Sequence, residues 1–242
     1  MSSATVIEAI DLCFFKAGQK ILENVTFQIR RGELAGVIGP NGAGKTTLFN
    51  LISGALPLTS GEINFKGERI SGLKPHQICR KGISRTFQLV KVFGNMSVLQ
   101  NVMMGVLFGK NKAVSPAEAE KDAMEALEFV GLLDHINTPA KDLIVGNQKR
   151  LEVARALATK PELLMLDELM AGLNPAEVAE ASEDVLKLKE KGMTIIMIEH
   201  VMKAIMSLCD RIVVLHHGEK IAEGTPKEVC NSSKVIEVYL GE

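Results

Sequence analysis

The sequence predicts an α/β protein with a mainly parallel sheet, and three observations support that class. Short apolar runs typical of strands alternate with amphipathic helical segments along most of the 242 residues. The run ELLMLDE is continuously apolar up to its acidic end, as expected for a strand buried on both faces. A glycine-rich stretch at 39–47 separates a strand-like run from a helical one.

The first third of the chain predicts three strands, one helix and a hairpin strand. The strands are TVIEAI, NVTFQI and ELAGVI, and the helix covers 46–53 with Gly54 as its C-terminal cap. GEINFKG follows as an edge strand of a hairpin.

The middle of the chain changes to helix, and the α/β pattern then resumes. The interval 98–133 is helical, and Ser115, Pro116 and Glu118 form a helix start with a capping box. After ELLMLDE, a helix begins at Asn174 and stops at Gly192, and MTIIMIE and RIVVLHH are further strands. We therefore predict one domain over 1–242, whose core covers 1–88 and 151–242 and is interrupted by a helical subdomain at 89–150.

The bulk composition excludes several classes of protein. A net charge of −1 argues against a general nucleic-acid binder, so no nucleic-acid partner is expected. The four cysteines are scattered, without metal-ligand spacing, and are interpreted as reduced thiols of a cytosolic protein. No apolar run reaches the roughly 18 residues that span a bilayer, and the N-terminus lacks a secretory signal. If the protein serves a membrane, another chain must cross it.

The stretch GPNGAGKTT satisfies the phosphate-binding pattern G-x-x-x-x-G-K-[ST] in its expected place between strand and helix. Its glycines let backbone N–H groups point at phosphate oxygens, ahead of a helix N-terminus. Lys45 would contact the β- and γ-phosphates, and the Thr46 hydroxyl would bind Mg²⁺. The predicted nucleotide-binding residues are Gly39, Pro40, Asn41, Gly42, Ala43, Gly44, Lys45, Thr46 and Thr47.

A phosphate loop of this kind needs an acidic partner for its metal ion, and ELLMLDE supplies one. Asp167 ends the buried strand and would hold the Mg²⁺ shell. Glu168 follows directly and is placed to orient or deprotonate an attacking water. Gln88 could reach the metal and the water, and His200, just after a strand, could contact the γ-phosphate.

These motifs resemble those of the nucleotide-binding subunits of ATP-binding cassette (ABC) transporters, over essentially the whole chain. GPNGAGKTT matches the Walker A motif, LLMLDE the Walker B motif, TFQ the Q-loop and EH the switch histidine. LIVGNQKRLEVARAL falls where the family places its signature, usually L-S-G-G-Q. The resemblance implies a P-loop NTPase core with a mainly parallel sheet, an N-terminal antiparallel β portion and an inserted helical subdomain.

The resemblance also implies a cofactor, partners and a location. ATP with Mg²⁺ would bind between two head-to-tail ATPase subunits, so that backbone N–H groups at the Gly146 turn cover the γ-phosphate held by the partner. A homodimer and a heterodimer both remain open. Permease subunits would dock on the helical subdomain and hold this chain at the cytoplasmic face of the membrane. An aromatic side chain would stack on adenine, with Phe15 as the candidate and Phe14 as the alternative.

The signature departs from the family pattern. Ile144 stands where the family usually has Ser, which removes a hydrogen bond to phosphate worth about 1.5–3 kcal/mol. Asn147 replaces the final Gln, Asn174 replaces the usual Asp of the D-loop, and Leu169 replaces a frequent Pro.

Four short motifs resemble one branch of the family, the ATPases of branched-chain amino acid uptake systems: RTFQ, AGLNPAE, IEHVMK and VIEVYLGE. ATPases of lipopolysaccharide-transport complexes are a near competitor. Two further alternatives are an ABC ATPase that remodels nucleic acid or a ribosome, and a nucleotide sensor that does not hydrolyse. The presence of Glu168 and His200 argues against the sensor.

Overall fold

A computed structural model describes residues 4–109 and 114–240 of the chain. Three stretches lie outside the described residues: 1–3 at the N-terminus, 110–113 within the predicted helical interval 98–133, and the final Gly241 and Glu242 of VIEVYLGE. The chain forms two compact units, one built from Met1–Pro75 with Val185–Glu242 and the other from His76–Asp184. The predicted helical subdomain at 89–150 falls inside the second unit, and its boundaries stay a prediction.

The described residues contain ten strands and nine α-helices. The strands are β1 (Thr5–Lys16), β2 (Gln19–Arg30), β3 (Leu34–Ile38), β4 (Ser60–Phe65), β5 (Glu68–Arg69), β6 (Ile83–Arg85), β7 (Leu163–Asp167), β8 (Thr194–Ile198), β9 (Arg211–His216) and β10 (Glu219–Gly224). The helices are α1 (Lys45–Ile52), α2 (Pro75–Lys81), α3 (Val98–Gly109), α4 (Pro116–Phe129), α5 (Val145–Ala158), α6 (Pro175–Glu190), α7 (Met202–Leu208), α8 (Pro226–Cys230) and α9 (Ser233–Leu240). The α/β class predicted from the sequence is confirmed.

The first unit contains an antiparallel sheet and a set of parallel strands. The antiparallel order is β2-β1-β4-β5, so the prediction that GEINFKG is an edge strand is wrong: β4 lies between β1 and the short β5. The parallel set has β3 between β8 and β9, and β10 extends β9 in the antiparallel sense. Every residue of β3 and β8 is buried, which explains their nearly unbroken apolar sequences.

The second unit holds the helices predicted for the middle of the chain. β6 pairs in parallel with β7, and all five residues of β7 are buried. The predicted capping box of α4 is present: the Glu118 N–H donates to Ser115 Oγ at 3.3 Å, and the Ser115 N–H donates to the Glu118 carboxylate at 3.0 Å. Asn174 caps α6 as predicted, with Oδ1 accepting from the N–H of Glu177 at 3.0 Å. None of the described helices is both long and apolar enough to cross a bilayer.

Candidate nucleotide site

The phosphate loop connects β3 to α1 in the first unit. Gly39 to Gly44 form the loop, and Lys45, Thr46 and Thr47 form the first turn of α1. Two glycines are required by close packing, because a Cβ on Gly39 would lie 2.1 Å from the Leu215 carbonyl oxygen and one on Gly44 would lie 2.5 Å from Leu22 Cδ2. Both also have positive φ, 153° and 101°. The loop therefore presents its backbone to whatever lies in front of the helix.

Lys45 is the cation of this loop. Its side chain is buried, and Nζ donates to the carbonyl oxygens of Gly39 at 2.7 Å and Pro40 at 3.0 Å. These contacts hold the ammonium inside the curl of the loop, ahead of the positive end of α1. The arrangement combines a point charge with a helix N-terminus, which is suited to an anion such as a phosphate.

The turn between β9 and β10 also supports the phosphate loop, and sequence reasoning missed it. The Gly218 N–H donates to the Ala43 carbonyl at 3.2 Å, while the Gly218 carbonyl accepts from the Glu23 N–H at 2.9 Å. A Cβ on Gly218 would lie 2.5 Å from the Ile21 carbonyl oxygen. The HHG sequence at 216–218 was a visible turn signal, but its contact with the loop depends on tertiary structure.

Two further predicted residues lie in the same unit. His200 follows β8, and its side chain is exposed. Phe15 is 44% exposed on β1, whereas Phe14 is 8% exposed and belongs to the core. Of the two aromatic side chains, that of Phe15 is the exposed one, and stacking on adenine stays a prediction.

The second unit holds the acidic residues. Asp167 ends β7 and Glu168 follows it, and both side chains are buried. The carboxylate of Asp167 forms a buried ion pair with Arg85 at the end of β6, with Nη2 at 2.6 Å from Oδ2. Thr86 adds a second link, because its Oγ1 accepts from the Asp167 N–H at 3.1 Å. Sequence reasoning missed Arg85. The available signal was a charged residue at the end of β6, directly before the TFQ motif.

Gln88 and Glu168 are brought together within this unit. Gln88 Nε2 donates to Glu168 Oε2 at 2.8 Å. The backbone of Glu168 is in the left-handed region, with φ of 52°, a conformation that costs a non-glycine residue about 1–2 kcal/mol. Strain of this kind concentrates at functional positions and needs surrounding contacts to maintain it. The structure thus fixes the carboxylate that the sequence singled out as a base.

The signature segment differs from its predicted form. The turn predicted at Gly146 is wrong: α5 begins at Val145, so Gly146 lies in its first turn. A Cβ on Gly146 would lie 2.8 Å from Glu177 Oε1, so the flexible Glu177 side chain would have to move to admit one. Ile144 is the N-cap of α5, is 66% exposed and makes no side-chain cap hydrogen bond. The helix therefore starts without the hydroxyl that a serine would provide.

The rest of α5 carries two buried charged residues. Burial raises the pKa of the Glu152 carboxyl, and the Lys91 N–H, which donates to Oε1 at 2.7 Å, partly offsets that rise. Lys149, one turn earlier, is buried and was not singled out from the sequence.

Comparison with known proteins identifies the family. Residues 22–171 match the family model described as ABC transporter, and residues 219–242 match a model described as branched-chain amino acid ATP-binding cassette transporter. The chain belongs to the ABC transporter family. The resemblance drawn from its motifs is confirmed, and the chain is an ATP-hydrolysing, nucleotide-binding transporter subunit.

Individual relatives agree with this assignment. The high-affinity branched-chain amino acid transport ATP-binding protein LivG of Salmonella typhimurium is 42% identical over 93% of each chain. BraF of Pseudomonas aeruginosa, with the same description, is 39% identical over 99% of each chain. A crystal structure of the ADP conformation of an ATP-binding cassette of an ABC transporter superposes with a TM-score of 0.88 at 32% identity, covering 98% of this ABC ATPase and 99% of that chain. A dimeric structure of a bacterial ABC transporter cassette has a TM-score of 0.82 at 26% identity, over 91% and 98%.

The residues present suit the metal ion that the family implies. Thr46 offers a hydroxyl, Gln88 an amide oxygen and Asp167 a carboxylate, and hard oxygen donors of this kind are what Mg²⁺ prefers. In the described structure, one oxygen of the Asp167 carboxylate, Oδ2, is paired with the Arg85 guanidinium at 2.6 Å.

Proposed function

We propose that this ABC ATPase powers an importer of branched-chain amino acids or a related small solute. Two matches support the solute class: the 42% identity to LivG and the C-terminal match at 219–242. The second match covers a segment outside the Walker motifs, so it separates this branch from ABC ATPases in general.

The hydrolytic step is assigned to Glu168, and the hydrogen bond from Gln88 carries this assignment. Gln88 would hold the carboxylate in position as it accepts a proton from the attacking water. Lys45 would neutralise the β- and γ-phosphates, with Thr46, Asp167 and Gln88 holding Mg²⁺ and His200 contacting the γ-phosphate. The metal ion, when bound, would supply positive charge for the developing negative charge on phosphate. Phe15 would stack on the adenine.

The assembly is proposed to contain a second ABC ATPase subunit and a membrane-spanning permease. In the dimer, the start of α5, including the Gly146 N–H, would face ATP held by the partner. The permease would dock on the helical subdomain at 89–150 and keep the chain at the cytoplasmic face of the membrane. Exposed apolar side chains in this interval support the proposal, namely Leu89 at 78%, Phe93 at 43% and Phe108 at 63% exposure.

The base assignment is tested with Glu168→Gln. This variant should lose at least a hundredfold in turnover, retain ATP binding within a fewfold, and accumulate as an ATP-bound dimer. Exposed Glu183 on α6 supplies the control Glu183→Gln, which should behave as wild type. Steady-state hydrolysis by Glu168→Gln at the wild-type rate would overturn the assignment.

Docking and solute are tested in the assembled transporter. Leu89→Asp should reduce co-purification with the co-expressed permease, while Leu186→Asp, which changes an exposed leucine of α6, should not. Equal co-purification of both variants would exclude the docking surface.

ATP-dependent uptake of radiolabelled leucine into proteoliposomes tests the solute class. Absence of uptake for every branched-chain amino acid would exclude that class.

A further inference from the structure

Lys149 is a buried cation with three hydrogen bonds that converge on one turn of the backbone. It lies on α5, one turn after the helix begins, and is 7% exposed. Nζ donates to three carbonyl oxygens: that of Glu168 at 3.1 Å, Leu169 at 2.9 Å and Ala171 at 2.5 Å. An ammonium removed from water requires such compensation, and here it comes from backbone dipoles of the segment that follows β7.

The segment that Lys149 holds contains the strained residue. Glu168 has φ of 52°, and its carbonyl oxygen also accepts from the Ala171 N–H at 3.2 Å, which closes the turn. Lys149 therefore donates to the carbonyl group of the strained residue itself. The three acceptors point in one direction only while the turn keeps this conformation, so the ammonium favours it over relaxed alternatives.

The side chain of Glu168 is held from the other end. Gln88 Nε2 donates to Oε2 at 2.8 Å. The residue thus has its backbone held by a side chain from α5 and its carboxylate held by a side chain that follows β6. The two contacts act on different parts of the residue, one on its backbone and the other on its carboxylate.

We propose that Lys149 is a positioning residue for Glu168, and that it couples the start of α5 to the base within the same chain. The inference rests on the proposed function, in which Glu168 takes the proton from water. α5 begins at Val145, so a displacement of its first turn moves Lys149 directly. In the proposed dimer that first turn faces ATP on the partner, and Lys149 would let occupancy of that site alter the base of this chain's own site.

The test compares Lys149→Met with Lys149→Arg and with a control, Lys121→Met, at an exposed position of α4. Lys149→Met should lower kcat at least tenfold while KM and the ATP dissociation constant change less than twofold. Lys149→Arg keeps a buried cation with several donors and should retain at least half of the activity. Lys121→Met should match wild type.

Hydrogen exchange gives a readout that is independent of turnover. Amides of the 168–174 segment, including that of Ala171, should exchange faster in Lys149→Met than in wild type, and Lys121→Met should leave them unchanged. If Lys149→Met does not fold, Lys149→Gln, with a shorter N–H donor, takes its place in both measurements.

Three results would overturn the inference. The first is a kcat within twofold of wild type for Lys149→Met. The second is an equal loss for Lys149→Arg and Lys149→Met, since a cation would then have no special role. The third is full turnover in Glu168→Gln, which would remove the proposed base as well. An inactive Glu168→Gln together with an active Lys149→Met overturns the positioning role alone.

Discussion

At the scale of single residues, hydrogen bonds and ion pairs hold the side chains predicted to act on ATP. Asp167 is held by Arg85, Glu168 by Gln88 and Lys149, and Lys45 by its own loop. The roles of these residues in ATP hydrolysis stay predictions, but their surroundings explain why the residue types are needed. Ile144 departs furthest from the residue type expected at its position, because it lacks the hydroxyl that a serine would provide there.

Ile144→Ser should stabilise the chain and speed hydrolysis at the site that α5 covers. A serine at this N-cap would accept from an N–H of the first turn, which is worth about 1 kcal/mol. It would also restore a hydroxyl donor toward phosphate. Urea unfolding and steady-state hydrolysis measure the two effects. Ile144→Ala is the matched control, because it removes the exposed side chain without adding a hydroxyl, and equal behaviour of both variants would contradict the prediction.

Cys209 should be inert toward alkylation in the folded protein. Burial, followed by the charge of Asp210, raises the pKa of its thiol to about 12, so at pH 8 only about one part in ten thousand is thiolate. Iodoacetamide at pH 8 should label exposed Cys230 well before Cys209, as read by peptide mass spectrometry. Labelling of Cys209 should rise only in urea. Similar native rates at both cysteines would show the prediction to be wrong.

At the scale of elements, the strands at the centre of the first unit leave little space for side chains. β3 lies between β8 and β9, and α7 packs over it through Ile205 and the adjoining Cys209. Gly36 in β3 lies directly against Ile205 and Cys209. At the end of β3, the phosphate loop is also tightly packed, because a Cβ on Gly39 would lie 2.1 Å from the Leu215 carbonyl oxygen of β9.

Gly36→Ala should destabilise the protein by about 1–3 kcal/mol through overpacking. The added Cβ would lie 2.9 Å from Cys209 Sγ and 3.2 Å from Ile205 Cδ1. Chemical denaturation measures the loss. In the double variant Gly36→Ala with Cys209→Ala, removal of the sulfur should recover part of the stability, because the two positions are in contact. Purely additive losses would mean that the strain arises elsewhere.

At the scale of the whole molecule, the proposed dimer contains two sites of unequal quality. Each site combines a phosphate loop from one chain with the start of α5 from the other. If the partner ATPase has a complete signature, ATP on Lys45 of this chain faces that signature. ATP on the partner then faces Ile144. We favour this asymmetric assembly over a homodimer, in which both sites would lack the hydroxyl.

A pair of lysine substitutions in the reconstituted transporter tests the asymmetry. Lys45→Ala should remove most ATP hydrolysis, because it disables the faster site, while the equivalent change in the partner should remove less. Equal losses would mean that backbone N–H groups near Gly146 suffice without a hydroxyl. If the isolated chain hydrolyses ATP as fast as the complex, the asymmetric assembly is refuted.

Local sequence determined the features that depend on a few neighbouring residues. Four features were predicted in their observed elements: the glycines of the phosphate loop, the box of Ser115 and Glu118, the Asn174 cap and the buried run ending at Asp167. Each follows from backbone geometry or capping, which act over one or two turns. The family also followed from these motifs.

Only the tertiary structure decided which distant residues meet. The pairing of Arg85 with Asp167 joins positions 82 residues apart, and that of Gln88 with Glu168 joins positions 80 apart. Exposure separated Phe15 from Phe14, and the packing of α5 placed the Glu177 carboxylate next to Gly146. Lys149 looked like an ordinary helical lysine until its ammonium was found on three carbonyls. These contacts depend on how strands and helices pack, and spacing along the chain does not encode that packing directly.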